Sequence, residues 1–183
     1  MMYSVAYGID KFVINSLCED ATGALTTPAG GFTTASNINK IMGDLLGNVA
    51  GYENNYLGGQ SGLFLVAEST DVTGFAQAGA TNGYAWSDAH LRNGLMGSWM
   101  GVDLYFVRSG TFVDDTLGTK TVTNSGHRVF GVKGVATYAS PRGMNYEEKG
   151  VTTKTGKEIV VFGLVGFKLW AVNTALVVDI TLA

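Results

Sequence analysis

Cysteine is nearly absent from this chain. Cys18 stands alone among 183 residues, so no internal disulfide can form and the fold must rest on its core. Histidine is almost as scarce. His90 and His127 lie far apart, and together with Cys18 they match none of the usual zinc-site spacings. No metal and no cofactor is therefore expected. Charge is thin as well: Asp, Glu, Lys and Arg make up 15% of the chain, against about 25% in an ordinary soluble domain. Long apolar runs are missing. Stretches such as Leu63 to Ala67 and Ile159 to Phe162 fall far short of the ~20 residues that span a membrane. The opening Met-Met-Tyr-Ser has no basic start, so no secretory signal is expected.

What is present is glycine and apolar residues. The 26 glycines are about twice the usual share. The apolar fraction of 46%, with 20 aromatic residues, is too high for a disordered chain. A chain of this length has room for one domain with a real core, and for an elongated extension. Low charge does little to keep copies of a protein apart, so much of the surface is expected to be covered by something else. The net charge of −3 is uneven: residues 1–91 carry 2 basic and 8 acidic side chains, residues 92–183 carry 10 and 7. Either this is chance in a low-charge protein, or an acidic face meets a basic face of a neighbouring copy.

Periodicity predicts two helices. Val5, Ile9, Phe12, Val13 and Leu17 make one stripe, and Cys18 beside it reads as a packed thiol. The glycine-rich run Gly23 to Thr34 should end that helix as a loop. Ile38, Ile41, Met42, Leu45, Leu46 and Val49 make a second, cleaner stripe, with Thr34 or Ser36 as N-cap. The opposite face carries Lys40, Gly43, Asp44, Gly47 and Gly51. Interior helix glycines cost about 1 kcal/mol each relative to alanine, so either the chain simply tolerates them or something packs close to that face.

Beyond residue 58 the pattern becomes extended. Leu63 to Ala67 suits a buried strand, Val102 to Arg108 another, and Arg128 to Tyr138 a third. Gly74 to Gly83 reads as a loop by composition, and Asp114 to Gly126 as an exposed polar loop. Met144 to Val151 and Lys157 to Trp170 predict a hairpin turning over Thr152 to Gly156, and Ala175 to Leu182 a closing strand. Strands mixed with two helices give an α+β domain.

Catalytic patterns are missing. Ser61 and Ser98 have glycines at the wrong offsets for a nucleophile elbow. Gly58-Gly59-Gln60-Ser61-Gly62 lacks the following Gly-Lys-Ser/Thr of a phosphate loop. Asp114-Asp115 and Glu147-Glu148 are adjacent, so on a strand each pair splits between two faces. Asp88 and His90 form an Asp-x-His pair without a partner nucleophile, and His127 reads as a surface residue. The residues point to no enzyme.

One stretch carries a more specific pattern. Leu91-Arg92-Asn93-Gly94-Leu95-Met96-Gly97-Ser98-Trp99-Met100-Gly101-Val102-Asp103-Leu104-Tyr105-Phe106-Val107-Arg108-Ser109 resembles a segment of the major capsid proteins of tailed phages, those with the Hong Kong phage-type coat fold. Gly126-His127-Arg128-Val129-Phe130, Leu164 to Trp170 and the closing strand extend the resemblance over residues 34–183. It implies an α+β coat fold with an axial domain and part of a peripheral domain. Residues 1–20 would be the end of the long peripheral helix, 21–140 the axial domain, 141–170 the peripheral hairpin, and 171–183 a strand returning to the axial domain. The loop Gly79 to Arg92 would point toward a local symmetry axis. The N-terminal arm and extended loop of that family have no counterpart before the first helix, so a truncated or minimal variant is expected.

The function so implied is that of a virion coat subunit, assembled in the host cytoplasm into pentamers and hexamers of an icosahedral head around double-stranded DNA. Its partners would be other copies of itself, scaffold and portal proteins, and packaged DNA held without sequence reading; no membrane is implied. Contacts between different patches of one subunit close into rings. The subunit-contact candidates are Tyr84, Trp86, Arg92 and Asn93 in one loop, and Asp114, Asp115 and Lys120 within the polar segment Asp114 to Asn124. The alternative is a β-rich module binding carbohydrate or peptide on a platform of Trp86, Trp99 and Tyr105, and it requires those rings to be exposed together.

Overall fold

A computed structural model describes residues 2–56, 62–82, 95–117, 120–150 and 157–183. Among these residues three α-helices, α1 (Met2–Asp20), α2 (Ala35–Tyr56) and α3 (Val72–Asn82), accompany ten strands. These are β1 (Gly23–Thr26), β2 (Leu63–Glu68), β3 (Leu95–Trp99), β4 (Val102–Val107), β5 (Asp114–Leu117), β6 (Lys120–Thr123), β7 (His127–Val132), β8 (Ala136–Gly150), β9 (Lys157–Leu169) and β10 (Val177–Thr181). Among the described residues no helix is long and apolar enough to cross a membrane.

Six strands form one mixed sheet in the order β1-β10-β7-β2-β4-β3. Its centre is the apolar run predicted as a buried strand. There β2 pairs antiparallel with β7, Leu65 opposite Phe130, and parallel with β4, Leu65 beside Leu104. These three side chains are at most 1% exposed. The stripe on α2 faces the core as its period requires, with Ile38, Ile41, Met42 and Leu45 fully buried. On the opposite face Gly43 and Gly47 are exposed. A Cβ at either would meet nothing within 4 Å.

The expected loop at Gly74 to Gly83 is instead largely helix. α3 carries Phe75 into the core, stacked on Phe32 at 5.5 Å and edge-on to Trp99 and Phe106 at 6.0 and 5.5 Å. Gly74 misled the composition-based reading because packing, rather than a turn, requires it. A Cβ there would sit 1.9 Å from the Phe32 carbonyl oxygen, so only glycine lets α3 reach the helical turn at Gly31–Thr33. The expected loop at Gly23 to Thr34 also begins as structure: β1 pairs parallel with β10, Gly23 beside Val178.

Two further expectations need correction. The segment Asp114 to Gly126 is no free loop, since β5 and β6 pair as a short hairpin with Val122 and Asn124 buried. The extended run Arg128 to Tyr138 is two strands, divided at Gly134, where φ is +83°.

The predicted strand pairing is present and longer than its pattern suggested, while the expected turn at Thr152 to Gly156 lies outside the described residues. β8 and β9 pair antiparallel as a separate two-stranded ribbon, from Ala136 opposite Leu169 to Gly150 opposite Lys157. Its register shifts between Ala139 and Arg142, around Pro141, which has no N–H to donate, and again between Arg142 and Asn145, around Gly143. The base is anchored by buried Leu169, and α1 packs against β9.

Replacing Gly74 by alanine tests the close approach. An exposed helical glycine gains about 1 kcal/mol on such a change. Here the sign should reverse, with Gly74→Ala lowering the urea unfolding midpoint relative to wild type.

Candidate functional site

The chemistry-bearing side chains gather where the last turns of α1 meet the sheet. Asn15, fully buried, is the hub. Its amide nitrogen donates to the carbonyls of Lys11 and Thr111, both at 2.7 Å, and its Oδ1 accepts from the Val113 N–H at 3.2 Å. The Asn124 amide donates to the Asn15 carbonyl at 3.0 Å and to its Oδ1 at 3.2 Å. A buried amide with every group satisfied fixes one geometry, so the β5–β6 hairpin is held to the helix. Lys120 adds an ion pair to Asp20 at 2.6 Å, and Lys11 one to Asp115 at 3.6 Å.

A second cluster lies under α3. Arg128 of β7, 3% exposed, donates from Nε to Asp71 Oδ2 at 2.5 Å and from Nη2 to Glu68 Oε2 at 3.3 Å. Glu68 Oε1 accepts the Gly110 N–H at 2.9 Å, Asp71 caps the Glu68 N–H at 3.1 Å, and the guanidinium lies 5.4 Å from the centre of the Phe112 ring.

A third cluster joins three elements distant in sequence. Cys18 on the last turn of α1 donates its thiol to Asp179 Oδ1 of β10 at 2.7 Å. His127 Nδ1, at the start of β7, lies 2.9 Å from both Asp179 oxygens. The antiparallel register places Asp179 opposite Val129, so His127 is its diagonal neighbour on the same face. Sequence spacing concealed this trio because residues 18, 127 and 179 meet only through the β7–β10 pairing; the nearest signal was a polar Asp179 inside an apolar strand. Burial, then the hydrogen bond and charge of Asp179, push the Cys18 thiol far above its usual range. A thiol held protonated against a carboxylate is the reverse of an activated nucleophile.

Of the sequence-predicted contact residues, Tyr84, Trp86, Arg92 and Asn93 lie outside the described residues, as do Asp88 and His90. Asp114 accepts the Ser125 N–H at 2.8 Å. Asp115 and Lys120 are those paired with α1. The aromatic platform of the binding-module alternative does not form as required, because Trp99 is 3% exposed and packed on Phe75.

Exposed large apolar side chains gather instead on the ribbon and the turn after it: Tyr138, Tyr146, Leu164, Trp170 and Val172 are all 48% exposed or more. This fold also resembles solved structures over most of its length. The chain has a phage capsid-like fold. A chain of the cyanophage P-SCSP1u capsid matches all of it with a TM-score of 0.68 at 13% identity. A chain of the mature capsid of bacteriophage PhiM1 matches 87% of it at 0.60 and 12%, and one of a virus-like particle from Pyrococcus furiosus 94% at 0.54 and 8%. This capsid-like chain spans 64%, 51% and 62% of those three chains, respectively. No family model and no curated protein sequence matches it.

Two measurements follow from these clusters. Arg128→Met leaves two carboxylates buried without their cation, and should destabilise the fold by about 3–5 kcal/mol in urea denaturation. The thiol gives a pH dependence. The unfolded chain releases the Cys18 proton near its usual 9.0, while the folded chain keeps it. The contribution is therefore intact below pH 9 and is lost progressively above it. In metal-free buffer the unfolding midpoint should fall more steeply above pH 9 in wild type than in Cys18→Ala.

Proposed function

We propose that this chain is a virion coat subunit, working by self-association rather than turnover. The observation that carries the reading is the likeness of its whole length to a capsid chain. Within that reading, residues 21–140 are the axial domain, 1–20 the end of the peripheral helix, 141–170 the peripheral hairpin, and 171–183 the returning strand. Copies associate as pentamers and hexamers of a head that encloses double-stranded DNA, and scaffold and portal proteins join them during assembly in the host cytoplasm.

The physical support is a surface poorly suited to a solitary protein. An isolated two-stranded ribbon is marginal in water, yet this one carries Tyr146 at 73% exposure and Leu164 at 58%, with Val172 beyond it at 84%. Exposed apolar groups of this size mark contact surfaces. The exposed Gly43 and Gly47 lower helix propensity without packing against any described residue. Tyr84, Trp86, Arg92, Asn93, Asp114, Asp115 and Lys120 remain the proposed contact residues of the axial part, with Lys120 and Asp115 bound in part by their pairs to α1.

Sedimentation and electron microscopy of the purified chain over a wide concentration range test the reading. Rings, tubes or shells are expected. The double change Leu164→Asp with Val172→Asp should weaken assembly at least tenfold while leaving the circular dichroism spectrum intact. A species that stays monomeric at every concentration and under every assembly condition overturns the proposal.

A further inference from the structure

We propose that Cys18, His127 and Asp179 form a site for one zinc-like divalent cation, which clips the end of α1 to the β7–β10 pair. This inference does not rest on the coat-protein reading. Its first support is convergence: a thiol, an imidazole nitrogen and a carboxylate, each from a different element, bring their ligand atoms within 4.8 Å of one another. Among the described residues this is the one group of three or more such side chains close enough to share an ion.

The donor set decides the class of ion. Sulfur and imidazole nitrogen are poor ligands for magnesium or calcium, which take oxygen. One sulfur, one nitrogen and one oxygen suit zinc, whose open sites keep three protein ligands and a water in the fourth position. Access fits as well. Cys18 is 2% exposed and forms the floor, while the side chains of His127 and Asp179 are 20% and 22% exposed and form the mouth. Charge also fits, since a thiolate and a carboxylate together balance a dication.

Only a small opening is needed. Cys18 Sγ and His127 Nδ1 now lie 2.7 and 2.9 Å from Asp179 Oδ1, closer than ligands sharing one ion. With zinc bonds of about 2.0–2.3 Å, tetrahedral donors lie roughly 3.3–3.6 Å apart, so the two pairs made by Asp179 must each widen by about 0.4–0.9 Å, while the Cys18–His127 pair already lies within 4.8 Å. The exchange balances simply. The dication replaces the thiol proton, which leaves to solvent as the sulfur–metal bond forms, and a neutral imidazole shifts its proton from Nδ1 to Nε2 through water. No oxidant or reductant is involved.

Cobalt(II) is the probe, because its thiolate bond gives a near-ultraviolet charge-transfer band and its d–d bands report the geometry. Chelator-treated, desalted full-length chain should develop both on titration, saturate at one equivalent, and lose them when zinc is added. Cys18→Ala should remove the charge-transfer band. His127→Gln and Asp179→Asn should each weaken zinc binding at least tenfold. Zinc should raise the melting temperature of wild type and leave that of Cys18→Ala unchanged, while magnesium and calcium do neither. Absence of the band in wild type overturns the proposal without any variant. So does a band that survives in Cys18→Ala, or equal zinc retention by Cys18→Ala and wild type.

Discussion

A guanidinium inside the protein sets how the sheet joins the elements that cover it. Arg128 enters from β7, and taking its charge out of water is tolerable because Asp71 and Glu68, with the His127 carbonyl, receive it. Those two acids belong to the end of β2 and the short turn that starts α3, and Glu68 also holds the backbone after β4 at Gly110. One cation thus ties together the central strand, the helix covering the core and the connection leading toward β5. The apolar layers supply most of the driving force, but they would accept several arrangements; directional bonds around a buried charge select among them.

The same division of labour explains α1, which has two different halves. Residues 4–14 stay partly or fully exposed, so the stripe of Val5, Ile9 and Phe12 meets only part of a core. From Asn15 to Cys18 every residue is buried, and there the contacts turn polar: Asn15 to the β5–β6 hairpin, Lys120 to the helix end, Cys18 to Asp179. The helix is held chiefly by its C-terminal turns, with Tyr7 adding a hydrogen bond to the Gly110 carbonyl at 3.0 Å near its start.

Much of this was legible in the sequence where one physical rule dominated. The α2 stripe, the apolar run of β2, the strand Val102–Val107 and the pairing of β8 with β9 each follow from a local pattern that no tertiary contact overrides. The coat-like fold was legible through the segment from Leu91 to Ser109. What escaped depends on distance in the chain. Gly74 looks like a loop residue until Phe32 is placed against it, and Asp114 to Asn124 looks mobile until Asn15 is seen to bind it. Cys18, His127 and Asp179 had no shared spacing at all. Local composition does not encode which far segment will supply the missing partner.

The margins of the six-stranded sheet have a consequence of their own. One margin, β1, is four residues long, and the other, β3, slips register against β4 between Leu95 and Ser98. Long straight borders would invite endless addition of foreign strands, a hazard acute for a chain so poor in repelling charge. Stunted and kinked borders deny that route at this sheet. What sits beside the sheet is then chosen by the shapes of side chains, which single codon changes can retune, and not by bare amide groups that greet any extended peptide alike.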